Sequence, residues 1–478
     1  MKVKLKKFSA FSQEILPHEA DYLMSIHQFE DLQKLDILQR IQANAHDQRQ
    51  NVPFNQAIDK RKYSSLMQWA QKKLQDIDVD KYFEWINEMD RKVITDAISA
   101  AEERQLLRKI KNYEHPIHNF MKLFEVAINF RHFLLIRLRY KEYKVVNQFI
   151  EDHQAEYDRS KAVNKKLHEA TVMLIDHFNE SGDYLEWEQW LLTCFGDDHL
   201  DGFNRYMAVV RLTFLYFNSR EFDKLKEVYD RLDKLLSSGR FYTRRILYNY
   251  YANRLMLHSK FDVLQQAEEY GYLSIRQRNS DHVQYLSNFS SILIRRGKIE
   301  EALALLKESF SEVQKSSNFF HKIGFTSFYV KCLNLNNQPG RGELLGEGFL
   351  RIYSKEILEQ RWYSFFSAYT QSLMMQGKTD KLIRMFKKYR LMAKDEQDRD
   401  KDIYLPTIRW YYQIALFKEM RMTEEDLVHS IVNLSLEHRA NRHKSFILDK
   451  VYSELEHYVP RAIVKARTIL HSSQPVCQ

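Results

Sequence analysis

Apolar positions recur along most of the chain with helical spacing, and the helices they predict recur in a longer cycle of about forty residues. The segment LSNFSSILIRRGKIEEALALLKESF (286–310) contains one cycle: an apolar-periodic stretch, a break at Gly297, and a second stretch opened by Ile299 and continued by Ala302 and Leu306. This pattern predicts two helices joined by a tight turn, with Ala302 where they approach closely. Equivalent positions recur at Val146, Trp187, Leu225, Leu264, Ala302, Gly342, Leu382 and Leu427, at spacings of 38 to 45 residues. Thirteen residues before each lie Phe133, Leu174, Leu212, Tyr251, Phe289, Tyr329, Tyr369 and Ile414, all large and apolar or aromatic. Five before each, where the turn is expected, stand Lys141, Gly182, Arg220, Ser259, Gly297, Asn337, Gly377 and Met422; five of these eight are turn formers.

On these residues the chain resembles the tetratricopeptide repeats over about residues 125 to 445, most closely over 205 to 390, with a period longer than the family's ~34. The resemblance implies an all-α fold, a right-handed superhelix of stacked antiparallel helix pairs with an N-terminal helical region. Three regions are expected: 1–112, an N-terminal helical region outside the repeat; 113–450, the superhelix; and 451–478, a C-terminal helix with a frayed tail. The polar stretch from Gln42 to Ile58, with Pro53 inside it, is the expected long connection in the first region.

Composition supports helices over sheets. Twelve glycines and seven prolines in 478 residues are too few for a fold built on tight β-turns or Gly-rich phosphate loops. Four of those glycines lie in QPGRGELLGEG (338–348). The run lacks the G-x-G-x-x-G spacing of a dinucleotide loop and the Gly-Lys-Ser/Thr of a P-loop, and Glu343 and Glu347 would repel phosphate. It is expected to be a turn followed by a closely packed helix, with Gly342 at the anchor. The three cysteines, Cys194, Cys332 and Cys477, suit neither a disulfide framework nor a zinc site. No apolar run has the length of a secretory signal or a membrane span, so a cytoplasmic protein without a membrane role is expected. A net charge of +9 is a mild basic excess that permits an acidic partner.

Candidate chemistry is sparse. Asp76, Asp78 and Asp80 alternate like the start of a calcium loop, but Lys81 and Asn87 stand where that loop needs Gly and Glu, so helix capping is expected. His115 and His118 lack a completing ligand cluster. No residue is nominated as catalytic, cofactor-binding or metal-binding, and the chain is expected not to be an enzyme.

Two surfaces follow from the repeat. Fifteen and eleven residues before four successive anchors lie Asn249 and Asn253, Ser287 and Ser291, Ser327 and Lys331, and Ser367 and Gln371, an inner polar face suited to a peptide or protein backbone. The Asn249–Asn253 pair is similar to the amides that tetratricopeptide receptors use for short peptides. Lys141, Arg220, Lys260, Arg296, Lys298, Lys378 and Arg421 lie at or near the turns, a basic edge that could track a nucleic acid. The expected function is a non-catalytic protein- or peptide-binding scaffold or receptor. The alternatives are a peptide-responsive regulator of the N-terminal region and a nucleic-acid adaptor.

Overall fold

The computed structural model describes residues 5–47, 52–176, 184–279, 281–399, 404–439 and 442–472. Among them are 24 α-helices and no strand, and they divide into two compact units at Asp262/Val263.

The first unit contains α1 (Lys6–Glu14), α2 (Pro17–Ile26), α3 (Leu32–His46), α4 (Lys60–Ile77), α5 (Val79–Ile94), α6 (Ala100–Lys111), α7 (Phe120–Ile136), α8 (Tyr140–Asp176), α9 (Tyr184–Gly196), α10 (Gly202–Ser219), α11 (Phe222–Ser237) and α12 (Arg244–Lys260). Short polar side chains set several starts by satisfying backbone N–H groups that lack helical partners. Asp31 and Asp59 cap α3 and α4, Ser99 and Glu102 form a capping box on α6, and Asp201 caps α10. Helix α3 runs five residues into the expected connection, to His46. Asn44 then accepts from Val52 N at 2.6 Å and Arg40 donates to Pro53 O at 2.7 Å, tying the following segment back. Helix α5 packs on α7, α6 on α8, and α8 and α9 on α10. An aromatic cluster of Phe120, Phe124, Phe130 and Phe149 fills the space between them.

Helix α8 departs from the expected helix–link–helix order. The second helix of the Val146 pair continues without a break into the first helix of the Trp187 pair, giving 37 residues and a length of about 55 Å. No glycine or proline interrupts 140–176, so nothing in the backbone chemistry stops the helix.

The second unit contains α13 (Leu264–Ser274), α14 (His282–Arg295), α15 (Ile299–Lys315), α16 (Phe319–Leu335), α17 (Pro339–Gln360), α18 (Trp362–Met375), α19 (Thr379–Lys388), α20 (Leu391–Asp398), α21 (Thr407–Lys418), α22 (Glu424–Arg439), α23 (Arg442–Glu456) and α24 (Pro460–Ser472). Helix α14 packs on α16, α16 on α18 and α18 on α21, while α15, α17 and α19 each bridge two members of that row. Phe289, Leu293, Ile323, Phe366, Leu373 and Ile414 are fully buried in this unit. Burying each stabilises the fold by about 1.5–3 kcal/mol, more than intrinsic helix propensity contributes at those positions.

A single left-handed residue follows the first helix of seven pairs: Leu138, Arg220, Asp262, Gly297, Asn337, Gly377 and Met420, with φ between 50° and 75°. Four of these are the expected turn positions. In the remaining pairs the turn is displaced: Lys141 lies in the first turn of α8, Ser259 lies inside α12, and Met422 follows the turn at Met420. Gly182 lies outside the described residues. Leucine and methionine carry no sequence signal for this conformation and aspartate a weaker one than glycine, so the displacement was hidden. It also shifts the fourth anchor. Five residues beyond Asp262 is Ala267, which is fully buried, whereas Leu264 is only partly buried.

Candidate functional site

The glycine-rich run is a turn and a packed helix. Pro339 occupies the first turn of α17. A Cβ on Gly342 would lie 2.8 Å from Asn334 Oδ1 and 2.9 Å from Ser372 Oγ, and one on Gly346 would lie 2.6 Å from the Tyr369 ring. Close helix approach therefore accounts for both glycines.

The DIDVD aspartates serve structure. Asp78 Oδ1 accepts from Asp80 N at 3.0 Å and Lys81 N at 3.2 Å, capping α5. Asp80 takes both arms of Arg245, at 2.8 and 2.9 Å, and the Thr243 hydroxyl at 3.0 Å. His115 uses both ring nitrogens, toward Tyr113 Oη at 2.8 Å and His199 O at 2.9 Å. His118 packs on the Phe241 ring and against Gly202. Burial lowers its pKa to about 4. Asp76, Asp78, His115 and His118 border a cleft of about 670 Å³, where Arg205 lies 2.8 Å and Arg240 3.7 Å from Asp198, so its arginines already face a carboxylate. Among the described residues no group of three or more His, Cys, Asp or Glu side chains could hold a metal ion.

The eight inner-face residues divide between the two units. In the first, Asn253 Nδ2 donates to Asn249 Oδ1 at 3.0 Å, and the Tyr206 hydroxyl donates to the same oxygen at 3.3 Å. In the second, Ser287 and Ser327 are buried, and their hydroxyls donate to Val283 O and Ile323 O one turn back, at 2.8 and 2.7 Å. They present no free group to a ligand. The surface of the row α14–α16–α18 is carried instead by Ser291, Lys331 and Gln371, of which Lys331 is the most exposed, whereas the Ser367 hydroxyl is buried. Ser291 Oγ donates to Asn288 O at 2.6 Å. Gln371 accepts from Asn334 Nδ2 at 3.2 Å and donates to Glu454 at 2.6 Å, which ties α16, α18 and α23 together.

The basic-edge residues also divide. Lys141, Arg220 and Lys260 are exposed in the first unit, with Lys260 5.4 Å over the Phe222 ring. In the second, carboxylates meet the cations. Arg296 and Lys298 converge on Glu268 at 3.0 and 2.5 Å, Lys378 meets Glu343 at 2.5 Å, and Arg421 lies 3.8 Å from Asp380.

These pairings expose a device that the sequence analysis missed. Glu188, Glu268 and Glu343 each follow a residue at the close-approach position, Trp187, Ala267 and Gly342, and each is buried. Each receives a cation from the next helix pair: Lys224 at 2.9 Å on Glu188, Arg296 and Lys298 on Glu268, and Lys378 and Lys381 on Glu343. Burial alone would raise the carboxyl pKa of Glu268, and Lys298 and Arg296 together reverse this, holding it below the usual value. Glu343 follows the same order: burial raises it, and Lys378 and Lys381 bring it below normal. An acid directly after each of these three positions was the available signal.

A second polar cluster joins α2 to α11 and α12 within the first unit. His18 is buried, with Nδ1 2.9 Å from Tyr251 Oη and Nε2 3.0 Å from Asp233 Oδ1. The neighbouring Glu19, fully buried, accepts from Leu16 N at 2.9 Å, Tyr242 Oη at 2.7 Å and Arg244 Nε at 2.8 Å. Gly239, at φ +81°, lets the loop after α11 pass beneath the Tyr22 ring. Charge-assisted bonds of this kind orient the segment as well as hold it.

Compared with protein-family models, curated proteins and solved structures, the chain finds no match in any of the three.

Proposed function

We propose that the chain is a tetratricopeptide-like superhelix that acts in the cytoplasm as a non-catalytic scaffold or receptor for a protein or peptide. The reading rests on the direct stacking of α14, α16, α18 and α21 in the second unit, with Ser291, Lys331 and Gln371 along successive members of the row. Amide, hydroxyl and ammonium groups at repeated intervals suit the backbone and acidic side chains of an extended segment. A row held by buried aromatic and aliphatic contacts needs little ordering when a ligand arrives, which lowers the entropic cost of binding.

The test is capture of partners by the intact protein and by an S291R/K331E variant, with and without nuclease. Nuclease-resistant capture that the variant loses by at least about tenfold, equivalent to ~1.4 kcal/mol, supports the groove. Capture that depends on nucleic acid would move the function to the basic edge, against which the carboxylates beside Arg296, Lys298, Lys378 and Arg421 already weigh. The seating of α2 through His18 and Glu19 favours a second reading, in which ligand binding regulates the N-terminal region. In that case H18A and E19Q would expose α2 to protease, and adding the captured partner to the wild type would change the same cleavage.

A further inference from the structure

We infer that the adjoining α5–α6 and α7–α8 turns of the first unit form a peripheral contact for an anionic lipid surface. Isolated exposed apolar residues are ordinary, but a cluster at one place marks an interaction site. Here Ile94 is 64% exposed, Leu135 41%, Ile136 78%, Leu138 68% and Tyr140 55%. Ile94 and Ile136 border the same shallow groove of about 450 Å³, and Arg137 of one turn meets Asp96 of the other at 2.7 Å. The two turns therefore present one surface.

Leu138 makes the choice of residue unusual. It adopts φ 57°, a conformation that strains a leucine and that Gly or Asn adopts more readily. Its side chain is mostly exposed, while the backbone turn is closed internally by Arg139 N donating to Leu134 O at 3.0 Å. The same left-handed turn closes six other helix pairs, so the conformation belongs to the fold; what sets this turn apart is the group of exposed apolar side chains gathered around it.

The surrounding charge selects the occupant. Arg137 and Arg139 are held by Asp96, Glu103 and Glu142. Lys141 and Lys144 are exposed and, among the described residues, enter no ion pair. They stand on the first two turns of α8, just after the apolar tip, with Tyr140 between. An apolar tip, then an amphipathic ring, then cations reproduces the order of acyl chain, interface and anionic headgroup. Among the described residues no helix is long and apolar enough to cross a membrane, so the contact is peripheral. It also adds a membrane contact that the sequence analysis did not expect. A second copy or another protein at this surface is the competing occupant.

Cosedimentation of the full chain with phosphatidylserine/phosphatidylcholine vesicles, against phosphatidylcholine alone, tests the inference. Wild type is expected to bind the anionic vesicles, and I136S/L138N to bind at least about tenfold more weakly. Because Asn tolerates the left-handed conformation, this variant should keep its helical circular dichroism and melting temperature. K141E/K144E should lose binding to anionic vesicles. Failure of wild type to bind them at low salt, or unchanged binding by I136S/L138N, would overturn the proposal. So would loss of self-association or protein capture in I136S/L138N when vesicles are not bound by either form.

Discussion

Gly346 sits under the Tyr369 ring so closely that even a methyl group has no room. Introducing one forces the ring or the helix to shift, at a cost typical of overpacking, so G346A should lower stability by about 1–3 kcal/mol in urea unfolding. Half-buried Gly348, where an added Cβ meets nothing within 4 Å, is the matched control: G348A should be neutral or slightly stabilising because alanine favours helix. Single residues also decided the register. Leu264 and Ala267 are three apart, and both fit an apolar-periodic helix. Only the backbone reversal at Asp262 distinguishes them, and aspartate does not announce that reversal as Gly297 and Gly377 do.

Between helix pairs, the buried glutamates matter most. Glu268 and Glu343 both have folded pKa values below the ordinary glutamate value. A proton therefore binds less readily to the folded chain than to the unfolded one, so their contribution is complete above the unfolded pKa. It is lost as pH falls through the folded value. E343Q should lower the urea midpoint at neutral pH, since Lys378 and Lys381 lose their shared carboxylate. The same variant should show a shallower loss of stability than wild type between about pH 5 and pH 3. Equal slopes would show that this carboxylate does not drive the acid limb. The bridge was partly readable as an acid following the close-approach residue, but its cationic partner comes from the next pair, and only packing identifies it.

Across the molecule, the division at Asp262/Val263 leaves each unit with its own buried core. A core that size can fold by itself. A fragment spanning 263–478 is expected to be helical by circular dichroism and to unfold cooperatively. A fragment that shows no cooperative transition would mean that its core depends on residues before 263. The helical class and the cycle of paired helices were legible from the sequence because both depend on local spacing: apolar residues three and four apart, and breaks at Gly297, Asn337 and Gly377. The uninterrupted α8 was less so, since nothing in 140–176 distinguishes one long helix from two short ones with a polar link.

Helical identity and the approximate period were determined by the sequence itself, because each rests on interactions within a few turns of chain. The tertiary structure decided which polar groups remain free. Ser287 and Ser291 read alike in sequence, yet one is buried and the other is partly exposed. Likewise Lys141 and Lys378 both fit a basic edge, but Lys378 meets a buried carboxylate 35 residues earlier in the chain, whereas Lys141 stands beside exposed Leu138 and Tyr140. Burial and charge pairing depend on neighbours distant in sequence, and those neighbours are set only when the helices pack.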